Sequence, residues 1–210
     1  MMSNIHKIYN EEEHEEEKKE QSDDKFAEMI QRKMLEQRII IISSDISSEL
    51  ADKVIKNVLL LDAMDNTKPI TVIINSPGGE VFAGFAIYDM LKAVKSPIKT
   101  LVTGFAASMG SIIMLAAPKG SRFMTRNSKV MIHQPLIGGY FKARATDIEI
   151  QANEIQETKD RIINLYVAET GKSREDVAKD IELDHWMTAE ETVEYGLMDK
   201  IISSMSEITD

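Results

Sequence analysis

Apolar positions along the chain switch between a helical period and short β-branched runs. From Lys25, the residues Phe26, Met29, Ile30 and Met34 share one helical face. The run RIIII, 38–42, reads as a short buried strand. A turn and cap cluster, SSDISSEL, leads into a helix from about Ser48 to Ala63, with Leu50, Val54, Val58 and Leu61 at helical spacing. ITVIIN, 70–75, is a second buried strand that runs straight into Ser76-Pro77-Gly78-Gly79. A helix from Val81 to Val94 is broken by Lys-Ser-Pro, and IKTLVTG forms a third strand. GFAASMGSII follows, with a helix expected from about Met109. Residues 118–128 read as a loop or hairpin, and KVMIHQP as a fourth strand ended by Pro135. One long helical pattern then runs from about Ala145 to Glu169, carrying Ile148, Ile155, Ile162, Ile163 and Val167, with Gly171 as its cap. Ser173 with Asp176, and Thr188 with Glu191, mark the starts of two short helices; LMDKIIS closes as a strand or edge segment.

Strands therefore alternate with helices over most of the chain. That alternation predicts an α/β fold in which crossover helices join the strands of a parallel sheet. No internal repeat is visible, and no linker splits the body in two.

Composition narrows the function. The 210 residues suffice for one sizeable domain with a tail, and 43% hydrophobic content fits a packed core. The longest apolar runs, such as 112–117, are far too short to span a bilayer. No signal segment opens the sequence, so a cytoplasmic location is expected. The absence of cysteine excludes disulfides, thiolate metal sites and cysteine nucleophiles. The formal net charge is −10, and more than half of it falls in residues 1–24, which read as an acidic, disordered tail. Neither tail nor body offers the clustered Lys and Arg that bind polyanions, so nucleic acid is not expected as a partner.

Ser108 raises the chemical question. It sits between Ala107 and Met109 at the mouth of an apolar segment, flanked by small residues. Close helix packing explains such a serine; so does a nucleophile that needs room for a substrate. A general base near neutral pH is usually histidine, and the chain has four. His6 and His14 lie in the acidic tail, which leaves His133 and His185. In parallel sheets, functional groups gather at the carboxyl ends of strands. Asn75 to Gly79, Gly104 to Ser108, and His133 each follow a predicted strand, so three strand ends meet on one edge. Gly78 and Gly79 let the backbone approach a bound peptide closely. The N–H groups of Gly79 and Met109 then form a two-donor oxyanion hole. A carboxylate must orient the imidazole, and Asp147, Asp160, Asp176, Asp180 and Asp184 all remain candidates. The order serine, histidine, acid and the A-x-S-x-G context both argue against an α/β-hydrolase.

Together INSPGG (74–79), GFAASMGS (104–111), MIHQP (131–135), ATDIEI (145–150) and TAEETVEYGLMDKI (188–201) resemble ClpP, the proteolytic subunit family of the Clp protease. The likeness runs from about Lys33 to Ile202. It implies the ClpP/crotonase fold, a stacked parallel sheet with a long handle helix at about 140–170, within one peptidase domain over 25–205. It implies a serine endopeptidase acting on unfolded polypeptides inside two stacked seven-membered rings, homomeric or mixed with a paralog, and fed by an AAA+ unfoldase. The unfoldase would consume the ATP; the peptidase would need no metal or organic cofactor. The resemblance assigns Ser108 as nucleophile, His133 as base, Asp184 as orienting acid, and Gly79 and Met109 as oxyanion donors. Substrate is expected to add as a strand near Gly78, Gly79 and Ile137. Glu182-Leu183 stands where the family commonly has Asp-Arg. The competing readings are a crotonase-like acyl-CoA enzyme on a similar fold, and a ring subunit whose main job is assembly.

Overall fold

The computed structural model describes residues 25–136 and 144–208. They divide into two units after Ile39. In the first, residues 25–36 form helix α1. The second carries the sheet.

Seven strands make one sheet: β1 (Ile39–Ile42), β2 (Ile70–Ser76), β3 (Ile98–Ala107), β4 (Arg122–Thr125), β5 (Lys129–Ile132), β6 (His185–Met187) and β7 (Lys200–Ile202). The main path runs β1-β2-β3-β4-β7, while β5 pairs with β3 and β6 with β5. The pairings of β2, β4 and β5 with β3, and of β7 with β4, are parallel, as the alternation of elements requires. β6 runs antiparallel to β5.

β3 is long because it serves two partners in turn. Thr100 to Val102 pair with β4, and Phe105 to Ala107 pair with β5. The exchange falls at Gly104, beside the point where β2 shifts register between Ile74 and Ser76. Asn75 Oδ1 accepts the Phe105 N–H at 3.3 Å across that irregularity.

Helices cover the sheet. α2 (Ser48–Met64) starts on Ser47, whose hydroxyl accepts the Leu50 N–H, and it buries Ala51, Val54, Val58 and Leu61. α3 (Val81–Ala93) stops short of Pro97. α4 (Met109–Ile113) is buried at every position. α5 (Ala145–Thr170) ends on Gly171 at φ 74. The regular apolar positions along α5 suggest a face buried throughout. The structure buries only Ile162, Ile163 and Tyr166, and Ile148 is exposed. α5 therefore packs through its last two turns. α6 (Arg174–Asp180) and α7 (Ala189–Tyr195) begin on Ser173 and Thr188, whose hydroxyls accept the Asp176 and Glu191 N–H groups.

Two expectations need correction. The segment 118–128 is not merely a loop or hairpin: it holds β4, parallel to β3. Arg122 disguised the strand, because a charge at a fully buried position breaks the apolar pattern. β1 is buried only at Ile40 and Ile42, with Ile41 exposed, as an edge strand covered on one face requires.

Candidate active site

Strand register brings the chemistry together. In the parallel β3–β5 ladder, Ala107 opposes Met131, and the Ser108 N–H continues it by donating to the Met131 carbonyl at 3.0 Å. In the antiparallel β5–β6 ladder, Ile132 opposes His185. One step beyond each strand end, His133 and Asp184 follow from that register. Three neighbouring strands thus deliver a hydroxyl, an imidazole and a carboxylate to one place. His133 Nε2 lies 2.8 Å from Ser108 Oγ, and His133 Nδ1 lies 3.2 Å from Asp184 Oδ1. With Nδ1–H donating to Asp184, Nε2 accepts from the serine hydroxyl, the arrangement a general base needs. The imidazole is largely buried; the Asp184 side chain is 63% exposed.

The other acids the sequence left open are engaged elsewhere. Asp147 pairs with Arg144, Asp160 with Arg174, Asp176 with the Ser173 hydroxyl, and Asp180 accepts from the Tyr195 hydroxyl. The His185 ring packs on Tyr195, with 6.0 Å between ring centroids.

Ser108 occupies an unusual conformation, φ 53 and ψ −123. It is one of two non-glycine residues with positive φ among those described. The turn between β3 and α4 is that sharp, and the small residues around it have a measurable use. A β-carbon on Gly78 would lie 2.6 Å from Ser108 Cβ and 2.7 Å from the Ala107 carbonyl. Gly78 therefore allows the SPGG loop to press against the serine. Both its own backbone groups are taken: its N–H donates to Ser76 Oγ at 3.2 Å, and its carbonyl accepts from Ile46 N–H at 2.8 Å.

Gly79 differs. It forms a single parallel bridge with Ile46, made by the Gly78 carbonyl and the Glu80 N–H. In that pattern the N–H and C=O of Gly79 itself face away from Ile46. Among the described residues neither the Gly79 N–H nor the Met109 N–H has an acceptor. Both residues line one cavity of about 240 Å³ with Ser108 and His133, whose apolar wall includes Ile112 and Ile162. Ile137 lies outside the described residues, as does the tail 1–24.

Gln134 escaped the sequence reading. Its main-chain N–H donates to the Ile181 carbonyl at 2.6 Å, and its Nε2 donates to the Glu182 carbonyl at 2.9 Å. Lys159 of α5 donates to its Oε1 at 2.9 Å. The residue after the imidazole thus holds the segment that carries Asp184. Its position between His133 and Pro135 was the only signal.

An α/β molecule with a serine, a histidine and an aspartate aligned at adjacent strand ends has the layout of a serine hydrolase. The sequence profile of the Clp protease family matches residues 20–205. The chain is 49% identical to the ATP-dependent Clp protease proteolytic subunit 1 of Protochlamydia amoebophila, over 88% of this chain and 89% of that protein. It is 46% identical to the subunit 1 of Chlamydia trachomatis serovar D, over 88% of this chain and 96% of that one. A point mutant of ClpP1 from Listeria monocytogenes superposes with a TM-score of 0.77 at 40% identity, covering 85% of this chain and 99% of that one. The chain belongs to the Clp protease family and has the ClpP fold, which makes it a serine peptidase by family. No helix among the described residues is long and apolar enough to cross a membrane.

Proposed function

We propose that the chain is an endopeptidase subunit in which Ser108 attacks the scissile carbonyl of an unfolded polypeptide. The observation that carries this reading is the relay of 2.8 Å and 3.2 Å from Ser108 through His133 to Asp184. As Ser108 Oγ bonds to the carbonyl carbon, its proton passes to His133 Nε2, and Asp184 steadies the imidazolium through Nδ1–H. The carbonyl electrons move onto oxygen, where the Gly79 and Met109 N–H groups receive the negative charge. The tetrahedral centre collapses, the C–N bond breaks, and His133 returns its proton to the departing amine. Water then repeats the sequence on the acyl-enzyme. Every step uses groups of this chain and water, so the peptidase needs neither metal nor organic cofactor.

An extended substrate is held by its main chain. The outward N–H and C=O of Gly79 offer the edge of a strand, and Gly78 supports that edge from behind. The domain over 25–205 works inside a chamber of two stacked seven-membered rings in the cytoplasm, homomeric or mixed with a paralog. A partner AAA+ unfoldase delivers the polypeptide, and it alone spends ATP.

Ser108→Ala should abolish labelling by a serine-reactive phosphonate and leave native mass unchanged. Labelling that persists in this variant removes Ser108 from the mechanism. Native mass spectrometry of the pure chain, and of the chain with a paralog, should show fourteen-subunit species carrying the peptidase activity; full activity in monomers would refute the chamber.

A further inference from the structure

Behind the nucleophile runs a buried chain of hydroxyls that the proposed mechanism leaves unused. Ser111 is fully buried and Tyr166 is 1% exposed. Ser111 Oγ lies 2.5 Å from the Ser108 carbonyl and 2.8 Å from the Tyr166 hydroxyl. A serine hydroxyl has one hydrogen, and a carbonyl only accepts. Ser111 therefore donates to Ser108, and Tyr166 donates to Ser111. The Ser111 main-chain N–H reaches the same carbonyl at 2.9 Å.

That carbonyl belongs to the peptide unit joining Ser108 to Met109. The unit is planar and trans, so its C=O and N–H point in opposite directions. Whatever fixes the Ser108 carbonyl also fixes the direction of the Met109 N–H. Hydrogen bonds on the carbonyl further polarise the amide and make its N–H a better donor, and low-dielectric surroundings strengthen both effects. Tyr166 stands on the packed end of α5, where its carbonyl accepts from Thr170 Oγ1 at 2.7 Å. The aim of the amide is thereby tied to the long helix.

We propose that Ser111 and Tyr166 are positioning residues that aim the Met109 N–H at the oxyanion. The inference rests on the peptidase reading above, since it needs Ser108 as nucleophile. Neither hydroxyl is bonded to Ser108 Oγ or His133, although Tyr166 is among the residues lining the cavity beside Ser108. A purely structural role would make a different prediction. Removing the Ser111 hydroxyl alone orphans the buried Tyr166 hydroxyl and destabilises the protein, whereas removing both together leaves no orphan on this pair. If the hydroxyls served stability alone, the double variant Ser111→Ala/Tyr166→Phe would recover activity along with its melting temperature.

The test uses the assembled full-length protein and its Ser108→Ala, Tyr166→Phe, Ser111→Ala and double variants. Three quantities are read: melting temperature, the rate of phosphonate labelling at Ser108, and kcat and KM on a fluorogenic peptide. Misplacing a catalytic group by about 1 Å can cost up to roughly a hundredfold in rate, and a change of aim alone costs less. Tyr166→Phe and the double variant should each lose about tenfold in kcat and in labelling rate, with KM within about twofold and the double variant's melting temperature near wild type. A double variant that labels and turns over at the wild-type rate overturns the proposal, as does a loss carried wholly by KM. In both cases labelling of the wild type at Ser108 leaves the peptidase reading standing. A wild-type protein that is not labelled at Ser108 sinks both together.

Discussion

Ser108 holds φ 53 and ψ −123, a region that a residue with a β-carbon enters at a cost of about 1–3 kcal/mol. The strain lies in the main chain, so it survives removal of the hydroxyl. Ser108→Ala and Ser108→Gly both lose the bond to His133, but only glycine relaxes the backbone. Glycine's own entropic penalty is roughly 0.5–1 kcal/mol, which leaves a net gain. Ser108→Gly should therefore be inactive and about 1 kcal/mol more stable than Ser108→Ala by denaturant midpoint. Equal midpoints would show an unstrained turn. Gly78 responds in the opposite sense. A β-carbon there would sit 2.6 Å from Ser108 Cβ at a φ of +95, so Gly78→Ala should cut the labelling rate of Ser108 at least a hundredfold. An alanine variant that labels normally would mean the loop gives way at no cost to the serine.

At the scale of elements, the closing turn after β7 is held by one carboxylate. Glu207 accepts the Ser203 and Ser204 N–H groups at 2.8 Å and 3.0 Å and pairs with Lys200 at 2.9 Å. The Lys200 contact, followed by those two amides, pulls its pKa down to about 2. A depressed carboxyl contributes its stability in full above its unfolded value, roughly 4.3, and loses it as pH falls through the folded value. Amide protection at Ser203 and Ser204 should be constant above about pH 5 and fall away between about pH 4 and 2. Glu207→Gln should show the reduced protection at every pH; protection that ignores both pH and substitution would assign the turn to packing alone. The elements themselves were unequally legible. The strands β2, β3 and β5 and the helices α2, α3 and α5 could be read from pattern, because apolar residues predominate among their buried positions. β4 could not, since Arg122 occupies a core position, nor could β6, whose three residues His185–Met187 are too short to show a period. The site followed the same division. Ser108, His133 and the glycine loop stand after legible strands. Asp184 stands before the illegible one, so spacing alone left it among five acids, and only the resemblance singled it out. Ser111 and Tyr166, 55 residues apart, meet through tertiary packing that no local pattern encodes.

For the whole molecule, Arg122 is the joint that ties separate elements together. It is 1% exposed, donates to the Leu115 and Ala117 carbonyls at 3.1 Å and 2.8 Å, and pairs with Glu169 of α5 at 2.7 Å. Sheet, connection and long helix meet on one guanidinium. Removing a single partner of a buried pair strands the other charge, at a typical cost of about 3–5 kcal/mol. Glu169→Ala should lower global stability by about 3 kcal/mol in urea, with one cooperative transition across all probes. A loss below about 1 kcal/mol would show that the two carbonyls alone satisfy the arginine.

The hydrogen bond from the Ser108 amide to the Met131 carbonyl closes the ladder that also sets His133 in place. Serine and histidine are therefore rungs of the same staircase. Loss of that final rung would part the hydroxyl from the imidazole and silence the molecule in which it occurs. Ageing or gently heated preparations would thus lose titratable sites, while each surviving site kept its original turnover.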